Sequence, residues 1–430
     1  MEVLPFSKMP ADLKYISEND YLFGYLNDLN AKTVIVEDDY IDKDYLIDYS
    51  NFYARSFKPY KKNTIRLHFF NYEFTKEYFD DNFHSNKEFQ DKIKEFYLGF
   101  VVIKPIENNK YNKIIGRTLL KVYPFNAGNG CERHYIKFEH RVSLYGIKLT
   151  VESLPYQMQD TIVAACATTA IWTTLAALNS LFGTVKQSPF EITQTSVRFP
   201  GYERNFPNTG GLNIFQIKEY FNSIGLEIEN ISVKKHPDVI LDVIKAYNDY
   251  QLPIIATIKL EKEKYTAYHA VVISGYRCES TGEITELYLH DDGIGPYCKT
   301  FPAKDKHFLY WKNKWIDSGK YDSLQVENLL IPLYPKIRYP FGIIHPVFLK
   351  MKNLTDPTKS KHRLFLTEVN KYKEYLLDKS FINKKEILTS SFPKYIWIIR
   401  HEQDGIIKSD SVIDATTLSD DPPRRVIYLN

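Results

Sequence analysis

The stretch QDTIVAACATTAIWTTLAAL, Gln159 to Leu178, decides how this chain is read. Its second half is mostly small or apolar, the signature of a helix buried on most sides. Its first half brings a cysteine, Cys166, to the beginning of that helix. A buried cysteine is ordinarily a small hydrophobe. At a helix N-terminus it can be a nucleophile, because the helix end favours the thiolate. Ala and Thr around Cys166 leave the sulfur unobstructed.

A nucleophilic cysteine needs a base from elsewhere in the chain. Of the 11 histidines, His269 opens the apolar run HAVVISGY, where a titratable group at the mouth of a buried strand suits a site. The next strand, ELYLHDD, ends on Asp291 and Asp292. The connection is RCESTGE, Arg277 to Glu283, with Ser280 at its middle. A hairpin symmetric about Ser280 sets Asp291 directly opposite His269, and opposed residues share a face. Asp292 and His290 then point to the other face. A one-residue slip exchanges these roles, so Asp292 stands in reserve. Gln159 precedes Cys166 by seven residues. A side-chain amide beside a helix-start N–H can form an oxyanion hole. Gln157 is the alternative donor.

The order Gln, Cys at a helix start, His at a strand start and Asp at the end of the next strand resembles the papain-like cysteine peptidases. More narrowly it is similar to the C39-like branch that includes bacteriocin-processing peptidases. QDTIVAACATTAIW resembles that branch's glutamine–cysteine segment, YHAVVISGY its histidine strand, and LYLHDD stands where the branch has Asp-Pro. GGLNIFQIKEYFNSIGLEI is similar to the helix between Cys and His. The resemblance covers about Leu154 to Lys299. Cys166 is followed by Ala167 rather than the branch's usual Gly, the Gln-to-Cys gap is a residue longer, and Asp-Pro is replaced by Asp291-Asp292. The resemblance implies an α+β, papain-like core with a helical layer and an antiparallel sheet. It implies a cysteine peptidase or related acyl-transfer hydrolase acting on a protein or peptide substrate, without metal or cofactor. Cys166 would attack, His269 shuttle the proton, Asp291 orient His269 and Gln159 hold the oxyanion. Two other classes stand beside it. One is a catalytically silent papain-like fold used as a binding module, since fold does not guarantee function. The other is zinc held by His269, His290, Cys278 and Cys298, whose spacing lacks paired short ligand motifs.

Outward from this core, helical and strand patterns follow one another. GLNIFQIKEYFNSIGLEI reads as a helix capped by Asn213 and Gln216 and stopped by Gly225. PDVILDVIKAYNDY reads as a second helix, and LPIIATIKL, YHAVVISGY and EITELYLHDD as strands. Helices before strands indicate an antiparallel α+β arrangement. Three regions are expected: a mixed α/β accessory domain over 1–149, the peptidase-like domain over 150–317, and a C-terminal α/β region over 318–430. In the last, RLFLTEVNKYKEYLLDK looks helical. In the first, Arg66, His68 and Arg117 read as exposed polar residues at strand edges. The loop from Ser196 to Leu212 is long enough for a substrate wall.

Composition narrows the classes further. The chain has 430 residues, 56 basic and 53 acidic, for a net charge of +3. That balance gives no electrostatic footprint for nucleic acid or an anionic membrane. No signal peptide and no run of about 18 apolar residues is visible. Four dispersed cysteines, Cys131, Cys166, Cys278 and Cys298, make neither a disulfide framework nor a CxxC pattern. A reduced, cytoplasmic protein is expected, with room for a regulatory protein partner.

Overall fold

A computed structural model describes residues 1–9, 20–106, 113–123, 132–160, 162–199, 210–279, 282–356, 359–419 and 422–429. The chain is a mixed α and β structure with several sheets, and every strand pairing among the described residues is antiparallel.

The N-terminal sheet runs in chain order: β1 (Glu2–Pro5), β2 (Thr33–Tyr40), β3 (Thr64–Phe70), β4 (Tyr97–Lys104) and β5 (Ile114–Leu120). Its central strands are buried along nearly their whole length, β4 at every residue, because both faces are covered. Here the expectation of exposed strand-edge residues is corrected. Arg66 and His68 are buried, since β3 is the middle strand; both bind Glu37, at 2.7 and 3.2 Å. Arg117 is partly covered between Asp42 and Asp44.

Next come the short β6 (Glu132–Tyr135) and the hairpin β7 (Phe138–Leu144) and β8 (Ile147–Ser153). The central sheet has eight strands. In chain order they are β6, β9 (Glu227–Ser232), β10 (Ile254–Lys262), β11 (Tyr265–Cys278), β12 (Ile284–Asp291), β13 (Gly295–Pro302), β14 (Trp311–Lys312) and β15 (Ser323–Leu333). In space the order is β14-β13-β12-β11-β10-β15-β9, with β6 pairing the far end of β11. The sheet therefore draws strands from both sides of residues 150–317. The helix Cys166–Phe182 packs on β10 and β11. Eleven of its residues are buried, most of them small or apolar, and the hydroxyls of the buried Thr168, Thr169 and Thr173 are hydrogen-bonded. Asn213 and Gln216 form the expected reciprocal cap on the helix Ile214–Ser223. Gly225, at φ 80°, follows its end.

The C-terminal sheet is β16 (Ser360–Glu368), β17 (Tyr395–Gln403), β18 (Ile406–Asp414) and β19 (Arg424–Tyr428). The helical reading of RLFLTEVNKYKEYLLDK is half corrected. RLFLTE belongs to β16, tied along its length to β17, and the helix begins only at Val369. Tertiary pairing overrides local pattern there. One hydrophobic core links the three larger sheets, from Phe6 to Ala415. Among the described residues no helix is long and apolar enough to cross a membrane.

Candidate active site

The segment before the cysteine is shaped by one side chain. Asp160 is buried, and its Oδ1 accepts the N–H groups of Ile162, Val163 and Ala164 at 3.0, 2.8 and 2.8 Å. Its Oδ2 accepts the Tyr53 hydroxyl at 2.7 Å. The Asp160 N–H meets the Ala164 carbonyl at 3.1 Å, closing a tight turn. Asp160 and residues 162–165 therefore stand ahead of the helix, which starts at Cys166. Ala165 is the N-cap, extended at φ −94° and ψ 177°, and Cys166 is the first helical residue. No cap side chain covers this end and no acidic residue lies in the first turn. The first backbone N–H groups have no intrahelical acceptor and present the positive end of the helix dipole. Cys166 is half-buried while its helical neighbours 167–175 are buried, so the sulfur occupies the accessible corner.

His269 sits near the start of β11, opposite Ile258 of β10. Its Nε2 lies 2.9 Å from Asp291 Oδ1 and 3.3 Å from Asp292 Oδ1. Cys166 is close enough to the same ring to help raise its pKa, after the two aspartates. Since Nε2 faces the carboxylates, Nδ1 is the nitrogen left for sulfur. Burial alone would favour the neutral ring, but the charges of Asp291 and Asp292, and the hydrogen bond the ring donates to Asp291, outweigh it. His269 is held well above the usual histidine range. For Asp291 burial is likewise overridden, by the charge and hydrogen bond of His269, the Trp315 indole and the Gly293 N–H. Its carboxyl is held below its ordinary range, so this pair is an imidazolium and a carboxylate.

The strand register differs from the symmetric hairpin. Val272 pairs with His290 and Ile273 with Leu289, while Cys278 pairs with Ile284 nearest the turn. The hairpin centres one position beyond Ser280, which itself lies outside the described residues. Asp291 thus falls opposite position 271, diagonal to His269 instead of directly across. A displacement of two residues preserves side-chain parity, so the two side chains still share a face. Asp292 is a second correction. It was expected on the other face, yet it approaches His269 because the ladder ends at Asp291 and Asp292 enters the turn before β13. His290 does point away, to the Leu154 carbonyl at 2.9 Å and Ser274 Oγ at 3.1 Å.

The two glutamines differ in their surroundings. Gln157 is buried, and its Oε1 accepts Lys104 Nζ of β4 at 3.1 Å. Its Nε2 has no hydrogen-bond partner among the described residues. Gln159 is half-buried on the same segment. No hydrogen bond among the described residues ties it to Cys166 or His269. Most of the loop from Ser196 to Leu212 lies outside the described residues.

No protein-family model matches this chain, and no curated protein sequence matches it.

Sequence reasoning missed Trp315. Its indole N–H donates to Asp291 Oδ2 at 2.7 Å, and its ring stands edge-on to His269 with centroids 6.3 Å apart. Gly293 gives it room: a Cβ there would lie 2.4 Å from the indole. Asn313, buried, caps the short helix Lys314–Asp317 through the Trp315 N–H at 3.0 Å. The indole covers the His269–Asp291 bond. Asp160 was missed too. The available signal was an Asp a few residues before a helix, the residue type that gathers local N–H groups. The four residues considered for zinc are not gathered. His290 is engaged by Leu154, and Cys298 lies 3.9 Å from Thr300 Oγ1.

Proposed function

We propose that this protein is a papain-like cysteine peptidase or related acyl-transfer hydrolase of the C39-like kind, acting on a peptide or protein amide. The observation that carries this reading is the His269–Asp291 pair together with a cysteine as first residue of an uncapped helix packed on the histidine strand. Cys166 Sγ attacks the substrate carbonyl, and the oxyanion is met by backbone N–H groups at the helix start and by Gln159. His269 exchanges its proton with Cys166 and delivers it to the leaving amine. Water then attacks the thioester, His269 accepts one of its protons, and the thiol is restored as the acid leaves. Asp291 holds the ring in place, with Trp315 keeping water from their bond. The reaction needs a reduced thiol, in keeping with a reducing, cytoplasmic setting. Cys166, Cys278 and Cys298 are free. The flanking sheets would recognise the substrate or a regulatory partner.

Hydrolysis tests the proposal. A complex peptide library is incubated with the wild type and with Cys166→Ala, and new termini are read by mass spectrometry. Reproducible cuts that disappear in Cys166→Ala support the reading. Identical cleavage by both proteins contradicts it.

A further inference from the structure

A second cluster of chemically competent side chains lies at the other end of the histidine strand. β6 pairs with β11 so that His134 faces Tyr276 and Glu132 faces Cys278. The approach is close: a Cβ at Gly275 would lie 2.3 Å from the His134 carbonyl oxygen. Residues two apart on a strand, and residues directly opposed, share a face. Glu132, His134, Tyr276 and Cys278 therefore form one patch. A carboxylate oxygen of Glu132, a ring nitrogen of His134 and the Cys278 sulfur all lie within 4.8 Å of one another. The patch opens on a cavity of about 690 Å³ between the central sheet, the helix Ile240–Asn248 and β16.

The imidazole is oriented as a metal ligand's would be. Nε2 lies 3.3 Å from Glu132 Oε2, while Nδ1 faces Asp249 Oδ1 at 3.8 Å. Asp249 is fixed in turn by the Tyr276 hydroxyl at 2.6 Å and by Arg363 at 2.9 and 2.8 Å. The Tyr276 ring stacks on His134 with centroids 4.6 Å apart. A carboxylate behind one ring nitrogen, leaving the other free to bind, is the usual outer arrangement at metal-bound histidines. Two of the neighbouring cations are engaged elsewhere: Arg363 with Asp249, and Lys245 with the Gly282 carbonyl.

We infer that Glu132, His134 and Cys278 form a binding site for a borderline transition-metal dication, Zn²⁺ foremost. Sulfur, imidazole and carboxylate together suit zinc and exclude Mg²⁺ or Ca²⁺, which take oxygen donors. Donors at zinc bond lengths in a tetrahedron stand roughly 3.3–3.8 Å apart. The present set reaches that by closing about 1 Å, within the freedom of the exposed Glu132 side chain. Three protein ligands leave a fourth position for water or a ligand in the cavity. Cys278 and His269 are nine residues apart on β11, roughly 30 Å along an extended strand, so the site is independent of the catalytic proposal.

The test is direct. The whole protein is stripped with a chelator, dialysed, and titrated with Zn²⁺ by calorimetry and with Co²⁺ by absorption. The wild type is expected to bind one equivalent of Zn²⁺ and to show a thiolate-to-cobalt charge-transfer band. Cys278→Ser should abolish that band, and His134→Gln should weaken binding at least about 100-fold. Asp249→Asn should cost about 10–100-fold, as outer partners do. Glu132→Gln alters only an exposed side chain, so its weaker binding is read on a folded protein. Cys166→Ala and His269→Gln should bind as the wild type. Absence of stoichiometric binding, or binding unchanged in Cys278→Ser and His134→Gln, overturns the inference. So does binding lost with His269→Gln, which would place the ion among His269, Asp291 and Asp292.

Discussion

His269 and Asp291 stand on one face of the β11–β12 ladder, out of direct opposition, and their side chains meet at 2.9 Å. The contact is diagonal, which places Asp291 within reach of Trp315 on its second oxygen and of the Gly293 N–H on its first. One carboxylate is thus held by two partners while it holds the imidazole.

Asp291→Asn is therefore expected to lower the His269 pKa, because burial stays while the nearest charge goes. Asp292→Asn should lower it less, since Asp292 is the more distant carboxylate at 3.3 Å. Turnover should fall by about 10²–10⁴ in Asp291→Ala and by far less in Asp292→Ala. Titration of the His269 ring by NMR checks the order, and a larger shift in the Asp292 variant would reverse the assignment.

The same pair makes stability depend on pH in a defined window. With its pKa raised, His269 contributes fully below its unfolded value of about 6.5 and loses that contribution as pH rises through the folded value. With its pKa lowered, Asp291 contributes above its unfolded value of about 3.9 and loses this as pH falls through the folded value. Urea melts of wild type and His269→Gln should differ most between those limits and converge at high pH. A difference that grows steadily with alkaline pH would mean that the ring is not an imidazolium in the folded protein.

Trp315→Phe keeps an aromatic cover but removes the donor to Asp291. Its expected effect is a lower kcat with KM nearly unchanged, together with a higher pKa for Asp291. A change confined to KM would mean that the indole contacts substrate instead.

The glutamines should separate by readout. Gln157→Ala removes the acceptor of a buried lysine and should cost about 1–3 kcal/mol of stability. Gln159→Ala should leave stability intact and lower kcat about 10²–10³-fold. Denaturant melts and steady-state rates on both variants decide it, and the reverse pattern would move the oxyanion role to Gln157.

Asp160→Ala strips three N–H groups and a hydroxyl of their acceptor, at a cost on the order of 2–4 kcal/mol. Asp160→Asn keeps one carbonyl oxygen for the turn and should recover much of this. Melting curves distinguish them, and equal losses would mean that the charge, not the acceptor geometry, shapes the turn.

Much of the central region was legible because its signals are local. A small, apolar helix with a cysteine at its start, the Asn213–Gln216 cap and the alternation leading to His269 are all written in adjacent residues. The face shared by His269 and Asp291 was legible too, since parity survives a two-residue displacement. What escaped depends on distant pairing. β6, four residues long, joins β11 from before the cysteine helix, and β15 inserts between β10 and β9 from beyond the last expected strand. Trp315 reaches Asp291 from a four-residue helix with no periodicity to announce it. Asp292 turned inward because the strand ended one residue sooner than alternation assumes.

The central claim, that Cys166 is the activated nucleophile of this fold, is tested most directly by the labelling rate of each cysteine. Wild-type protein is exposed briefly to limiting iodoacetamide at several pH values, and the modified peptides are quantified. Cys166 should react far faster than Cys278 and Cys298, whose thiols burial pushes up. His269→Ala should abolish that advantage without unfolding the protein. If Cys278 or Cys298 reacts as fast as Cys166, or if the Cys166 rate is indifferent to His269→Ala, the account is wrong.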